Sequence, residues 1–178
     1  DDKGCVLIAM WGVPSFSFPN NSSRAVAAAM LIHDGTHKLG HKCSIGITAG
    51  TVFVGNIGSL VRRDFVGLGA DVNLAARFMG KSKGRIFIDE KTSANLPTDF
   101  RNSMSLSDGL VLKGVAGLTY AHICEGDIST PVAEGFIASL RNATVGTTGP
   151  GGAPMLDNAA GALLPKAVSD PIKDRLQK

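Results

Sequence analysis

Apolar residues fall into short runs whose type changes along the chain. Residues 5–11 form a continuous apolar run ended by Gly12 and Pro14, the pattern of a strand buried on both faces. Asn20, Asn21, Ser22 and Ser23 offer N-caps for a helix through about Leu39, with Ala25, Ala28, Ala29, Ile32 and Leu39 on one stripe. Residues 43–49 and 51–57 read as two strands joined at Gly50, an antiparallel hairpin. Gly55 and Gly58 mark a bend before a further strand at 64–68. A helix follows from Asp71 to about Met79, its early aspartate suited to the helix dipole. Residues 85–88 predict a short strand and 91–95 a short helix stopped by Pro97. Further strand pieces fall at 103–106, 110–112 and 119–124.

From Ser129 the character changes, and residues 147–154 (Thr-Thr-Gly-Pro-Gly-Gly-Ala-Pro) are a flexible tract. We expect a domain over residues 1–127 and a linker or tail over 128–178, leading toward a further domain. The order of elements predicts an α+β fold, a mixed, mainly antiparallel sheet with helices on one face. The start on Asp1-Asp2-Lys3-Gly4, without methionine, reads as a piece cut from something longer.

Composition narrows the classes. A hydrophobic content of 44% over 178 residues supports a real core. The net charge of +3, with Lys and Arg scattered, does not suggest nucleic acid. Cys5, Cys43 and Cys124 have unrelated spacings and no CxxC, which suggests neither a zinc site nor a disulfide framework and fits a reducing, cytoplasmic setting. No apolar run is long enough for a bilayer span. His33 and His37 stand one helical turn apart, but lack the HExxH context or carboxylate pair that would favour a metal there.

The most informative pair is Asn73 and Arg77. A four-residue spacing stacks an amide and a guanidinium on one helical stripe, directly after a glycine-punctuated strand at 63–69. A planar cation beside a neutral donor/acceptor can hold a phosphoryl group and a neighbouring sugar oxygen together. The same spacing equally describes an ordinary solvated helix face.

Three stretches together resemble the class III nucleotidyl cyclase catalytic domain: residues 44–58 (Ser-Ile-Gly-Ile-Thr-Ala-Gly-Thr-Val-Phe-Val-Gly-Asn-Ile-Gly), Arg62-Arg63-Asp64-Phe65, and 69–77 (Gly-Ala-Asp-Val-Asn-Leu-Ala-Ala-Arg). Residues 2–14 are closer still to one subtype, the second cyclase domain of soluble, bicarbonate-responsive adenylyl cyclases. The resemblance runs to about Gly126. It implies a ferredoxin-like cyclase domain that converts ATP to 3′,5′-cyclic AMP and pyrophosphate in intracellular signalling. Asn73 would orient the ribose and Arg77 would stabilise charge developing on the α-phosphate. Phe65, Val66 and Gly67 would line the base pocket, and Lys113 in its Lys-Gly turn would meet the terminal phosphates. Family sites form between two cyclase domains, so the resemblance also implies a partner domain and two magnesium ions.

The departures shape the expectation. Cys5 stands where the family's second metal aspartate sits, and a thiol is a poor magnesium ligand. The first metal aspartate would precede Asp1, and Asp1 and Asp2 read as turn residues. This half is therefore expected to bring no metal ligands, the partner supplying them. Val66 occupies the base-reading position without a side-chain acceptor, and Lys3 is a weak candidate for the family's base-reading lysine. Subtype similarity favours ATP, with guanylate cyclase as the alternative. Arg62 and Arg63 either reach phosphates or face water. A Rossmann reading of Gly67-Leu68-Gly69 lacks the third glycine, since Val72 takes its place. The stronger rival is a non-catalytic cyclase-like domain that regulates its partner.

Overall fold

The computed structural model describes residues 5–14 and 17–144, with side chains to residue 141. Asp1, Asp2, Lys3 and the glycine-proline tract at 147–154 lie outside the described residues. The chain divides into two units, Asp1–Glu134 and Gly135–Lys178. All that follows concerns the first, apart from a helix at Pro131–Thr144.

The elements are α1 (Asn21–Lys38), β1 (Ile45–Ile47), β2 (Phe53–Gly58), β3 (Arg63–Leu68), α2 (Ala70–Ser82), β4 (Ile86–Ile88), α3 (Glu90–Ala94), α4 (Thr98–Asn102), β5 (Ser105–Leu106), β6 (His122–Cys124) and α5 (Pro131–Thr144). One sheet has the order β1-β4-β6-β5. In it β1 runs parallel to β4, while β6 is antiparallel to both β4 and β5. The α+β class, with a mixed and mostly antiparallel sheet, is thus as expected.

Two local expectations are corrected. The hairpin is not 43–49 with 51–57 joined at Gly50; β1 joins the main sheet, and β2 pairs with β3 instead, in the register Phe53↔Leu68 to Gly58↔Arg63. Gly50 is a contact point for the Asp71 carboxylate, so its missing side chain serves packing rather than a two-strand turn. The real reversal is at Ser59–Arg62, closed by Ser59 N donating to Arg62 O at 2.8 Å. Residues 5–11 are also not a doubly buried strand. They pair with no named strand among the described residues, and Val6, Leu7 and Ile8 are exposed. An apolar run becomes a strand only where a partner edge accepts its hydrogen bonds.

At the start of α1, the Asn20 side chain makes no capping bond; Asn21 Oδ1 instead accepts from Phe18 N at 3.2 Å. Late in the helix His33 meets a carbonyl through its ring, Nε2 lying 2.7 Å from Gly84 O. The core that positions the site is built on α2. Leu74 and Phe78, one turn apart, pack with Phe87 of β4 and Ile123 of β6, joined by Leu110, Leu112, Val115 and Ala121. The Phe78 and Phe87 rings meet edge to face at 6.2 Å. Among the described residues no helix is long and apolar enough to cross a membrane.

Candidate active site

Asn73 and Arg77 each precede a residue of the buried Leu74–Phe78 stripe. At about 100° per residue, that places them at the margin of the packed face of α2 rather than within it. Asn73 is exposed and Arg77 half-buried. Among the described residues neither side chain has a hydrogen-bond or ion-pair partner. A half-buried guanidinium without a counter-anion has lost part of its hydration without compensation, so an anion delivered to it is bound strongly.

The start of α2 is tied down from three sides. Thr48 Oγ1 donates to Asp71 O at 2.8 Å. The Asp71 carboxylate rests on Gly50 and pairs with Lys91 Nζ at 3.3 Å. Midway along, Gly46 of β1 passes directly under Ala75, Phe78 and Met79. The helix that carries the amide and guanidinium is therefore fixed to both β1 and α3.

The third residue singled out from the sequence, Lys113, comes from far along the chain. Lys113 and Gly114 form the tip of a loop whose base is bridged by Leu110 and Thr119, with Leu110 N donating to Thr119 O at 2.8 Å. Leu112 and Val115 anchor the loop in the α2 core, leaving Lys113 exposed at the tip. Gly114 has φ +73°, and a Cβ there would stand 3.5 Å from Arg77 Nη2. The guanidinium thus lies against the Lys-Gly turn, so Arg77 and the Lys113 turn share one locality. The resemblance placed Lys113 near the terminal phosphates, and nothing in the sequence pointed to Gly114 as the surface on which Arg77 rests.

Phe65, Val66 and Gly67 lie on β3, the strand that runs into α2 through Gly69. Phe65 is exposed, while Val66 and Gly67 are half-buried. Gly67 leaves room for Met10, whose Sδ would be 2.5 Å from a Cβ at that position. That contact was not legible in the sequence, because residues 5–11 read as a strand. Arg62 pairs with Asp64 at 3.2 Å on an exposed surface, which accounts for it without a phosphate.

The metal ions implied by resemblance are tested by the available donors. Among the described residues no three His, Cys, Asp or Glu side chains come together to hold an ion. Cys5 presents an exposed thiol, a soft donor unsuited to magnesium. The described residues do not fit a magnesium pair.

No protein-family model matches the sequence. Adenylate cyclase type 10 of Homo sapiens is 37% identical over 120 residues, covering 65% of this chain and 7% of that protein. The Oryctolagus cuniculus counterpart is 33% identical over 130 residues, covering 70% and 8% respectively. The chain thus spans less than a tenth of the length of these curated relatives. Among solved structures, the guanylate cyclase domain of RhGC from Catenaria anguillulae in complex with GTP is 25% identical with a TM-score of 0.55, covering 65% of each chain. The guanylyl cyclase Cya2 is 26% identical with a TM-score of 0.50, covering 68% of this chain and 66% of that one.

Proposed function

We propose, for a chain whose homologues are adenylate cyclases type 10 and whose fold is that of the class III nucleotidyl cyclase domain, that it is half of a composite adenylate cyclase site. The substrate is ATP and the products are 3′,5′-cyclic AMP and pyrophosphate. The ribose 3′-oxygen bonds to the α-phosphorus as the bond from that phosphorus to the β-phosphate bridging oxygen breaks. The 3′-hydroxyl proton is lost and pyrophosphate leaves. Charge grows on the α-phosphoryl oxygens and the leaving group, so positioning and electrostatics dominate.

In this reading Asn73 hydrogen-bonds and orients the ribose, and Arg77 meets the α-phosphoryl oxygens with its unpaired N–H groups. Lys113 neutralises the terminal phosphates. Val66 packs on the purine, flanked by Phe65 and the backbone of Gly67. The observation that carries the proposal is the half-buried Arg77 guanidinium, without a carboxylate partner and set against the Lys113–Gly114 turn. A partner cyclase domain, in the same longer chain or a dimer, supplies the two magnesium ions, and the reaction serves cytoplasmic signalling. The exposed apolar side chains of the β2–β3 hairpin, with Leu60 at 93% and Val61 at 96% exposure, support such a partner.

Two other readings draw on specific observations. Val66 offers no side-chain acceptor for the adenine amino group, and the similar solved structures include guanylyl cyclases, which favours a guanylate cyclase. The lack of a carboxylate cluster among the described residues favours a regulatory cyclase-like domain. One experiment separates catalysis from regulation. With this chain paired to a metal-bearing cyclase domain, Arg77→Ala should lower kcat by about two or more orders of magnitude. Unchanged turnover with an intact fold assigns the domain to scaffolding.

A further inference from the structure

The C-terminal turn of α2 borders a cleft. Its volume is about 530 Å³, and it lies between that turn, the start of β4 and residues 106–111. Small-molecule sites commonly span roughly 300–1,000 Å³. Neither Asn73, Arg77 nor Lys113 lines it, so what it binds is independent of the cyclase reading.

Its lining includes Lys81, Lys83 and Arg85, close together in sequence at the end of α2 and the start of β4, and Asp108 is the single acidic residue of the lining. Among the described residues none of the three cations has an ion-pair partner. Arg85 is held in place: its Nε donates to Ser82 O at 3.3 Å, and its guanidinium stacks 5.4 Å from the centre of the Phe87 ring. Its other N–H groups remain available. Lys83 adopts a left-handed backbone, φ 52°, at the helix end, where glycine or asparagine usually sits. The segment bearing Asp108 is also held, because the Ser107 hydroxyl donates to Asp108 O at 2.9 Å and accepts from Ala121 N at 2.9 Å. Phe87 and Leu110 add apolar lining.

Three unpaired cations lining one cleft raise a positive potential that a multivalent oxyanion relieves, and a planar guanidinium suits phosphate. A bare inorganic anion adds like charge to a cleft that also holds Asp108. A phosphate ester with free hydroxyls suits both the cations and Asp108, because a carboxylate accepts a hydroxyl hydrogen bond. We propose that this cleft binds a small organic phosphate carrying hydroxyl groups, its phosphoryl group on Lys81, Lys83 and Arg85 and a hydroxyl donating to Asp108.

The test is titration of the full 178-residue chain with glycerol 3-phosphate and, separately, inorganic phosphate, following backbone amide resonances. Saturable shifts centred on residues 81–85 and 107–110 are expected, with the ester bound more tightly than the inorganic ion. Lys81→Gln, an exposed change that spares the Arg85–Phe87 stack, should weaken the ester about tenfold. Asp108→Asn should remove the preference for the ester, and Arg77→Ala should leave its affinity for this cleft unchanged. Shifts that fail to saturate would overturn the proposal, leaving the cations to complement the carbonyl end of α2. So would saturable binding that Lys81→Gln does not affect, or that is lost with Arg77→Ala.

Discussion

At Gly46 the backbone of β1 runs so close beneath α2 that a Cβ would collide with the Ala75 carbonyl oxygen. The same Cβ would come within 2.7 Å of Met79 N and 2.9 Å of Phe78 Cβ. None of these neighbours is the flexible end of a side chain, so Gly46→Ala must push the helix off the strand. Overpacking of this kind costs about 1–3 kcal/mol, and we expect that loss in urea unfolding. Stability equal to the parent chain would mean that β1 and α2 do not pack in this way. The thiols provide a second residue-scale check. Burial pushes the Cys124 thiol above its ordinary value of 9.0, with Glu125 adding to the rise and the Gly126 backbone opposing it. A raised folded pKa means its contribution to stability is complete below the unfolded value and is lost as pH climbs through the folded one. Thiolate is the reactive form, so at neutral pH the exposed Cys5 should alkylate several-fold faster than Cys124, as peptide mapping would read. Equal rates would deny the burial. That Asn73 and Arg77 stand one turn apart on a helix was legible at this scale because a four-residue helical repeat is local. The rest of Arg77's setting was not, because Gly114 reaches it only through tertiary folding.

Between elements, the loop around Lys113 and the helix α2 set the reach of Arg77. Gly114 at φ +73° occupies backbone space that costs a residue with a Cβ roughly 1–2 kcal/mol. Gly114→Ala should therefore shift the turn against the guanidinium. In the paired enzyme we expect kcat to fall by up to about a hundredfold, the penalty of a displacement near 1 Å. The thermal midpoint should change only modestly. Full activity would show that the turn does not position Arg77. The mistaken hairpin belongs to this scale as well. Short apolar strands at 43–49 and 51–57 have suitable composition for pairing with each other, yet composition does not choose partners. Here β1 found β4 across a parallel register, leaving β2 to pair with the strand after Ser59. The start of α2 was readable in advance, since Asp71 suits the first turn of a helix, but its end, expected near Met79, lies at Ser82 with Lys83 as the left-handed cap. The residue 5–11 run was misjudged because continuous apolarity states a preference for burial without naming what covers it.

For the molecule as a whole, the α+β class followed from the alternation of strand and helix signals, whereas which apolar side chains are left exposed depends on which hairpin forms. The β2–β3 hairpin leaves Phe53, Ile57, Leu60, Val61, Phe65 and Leu68 exposed, and Phe65 is also a residue of the proposed base pocket. A pocket wall and an unpartnered apolar surface on the same hairpin fit a site completed by another domain. The central claim is that completion, and cyclic AMP formation from ATP and magnesium tests it most directly. The measurement compares this chain alone with the chain mixed with a metal-bearing cyclase domain. The account predicts no turnover above background for the chain alone, and turnover on mixing that Arg77→Ala lowers by about two or more orders of magnitude. Magnesium-dependent cyclisation by the isolated chain would contradict it.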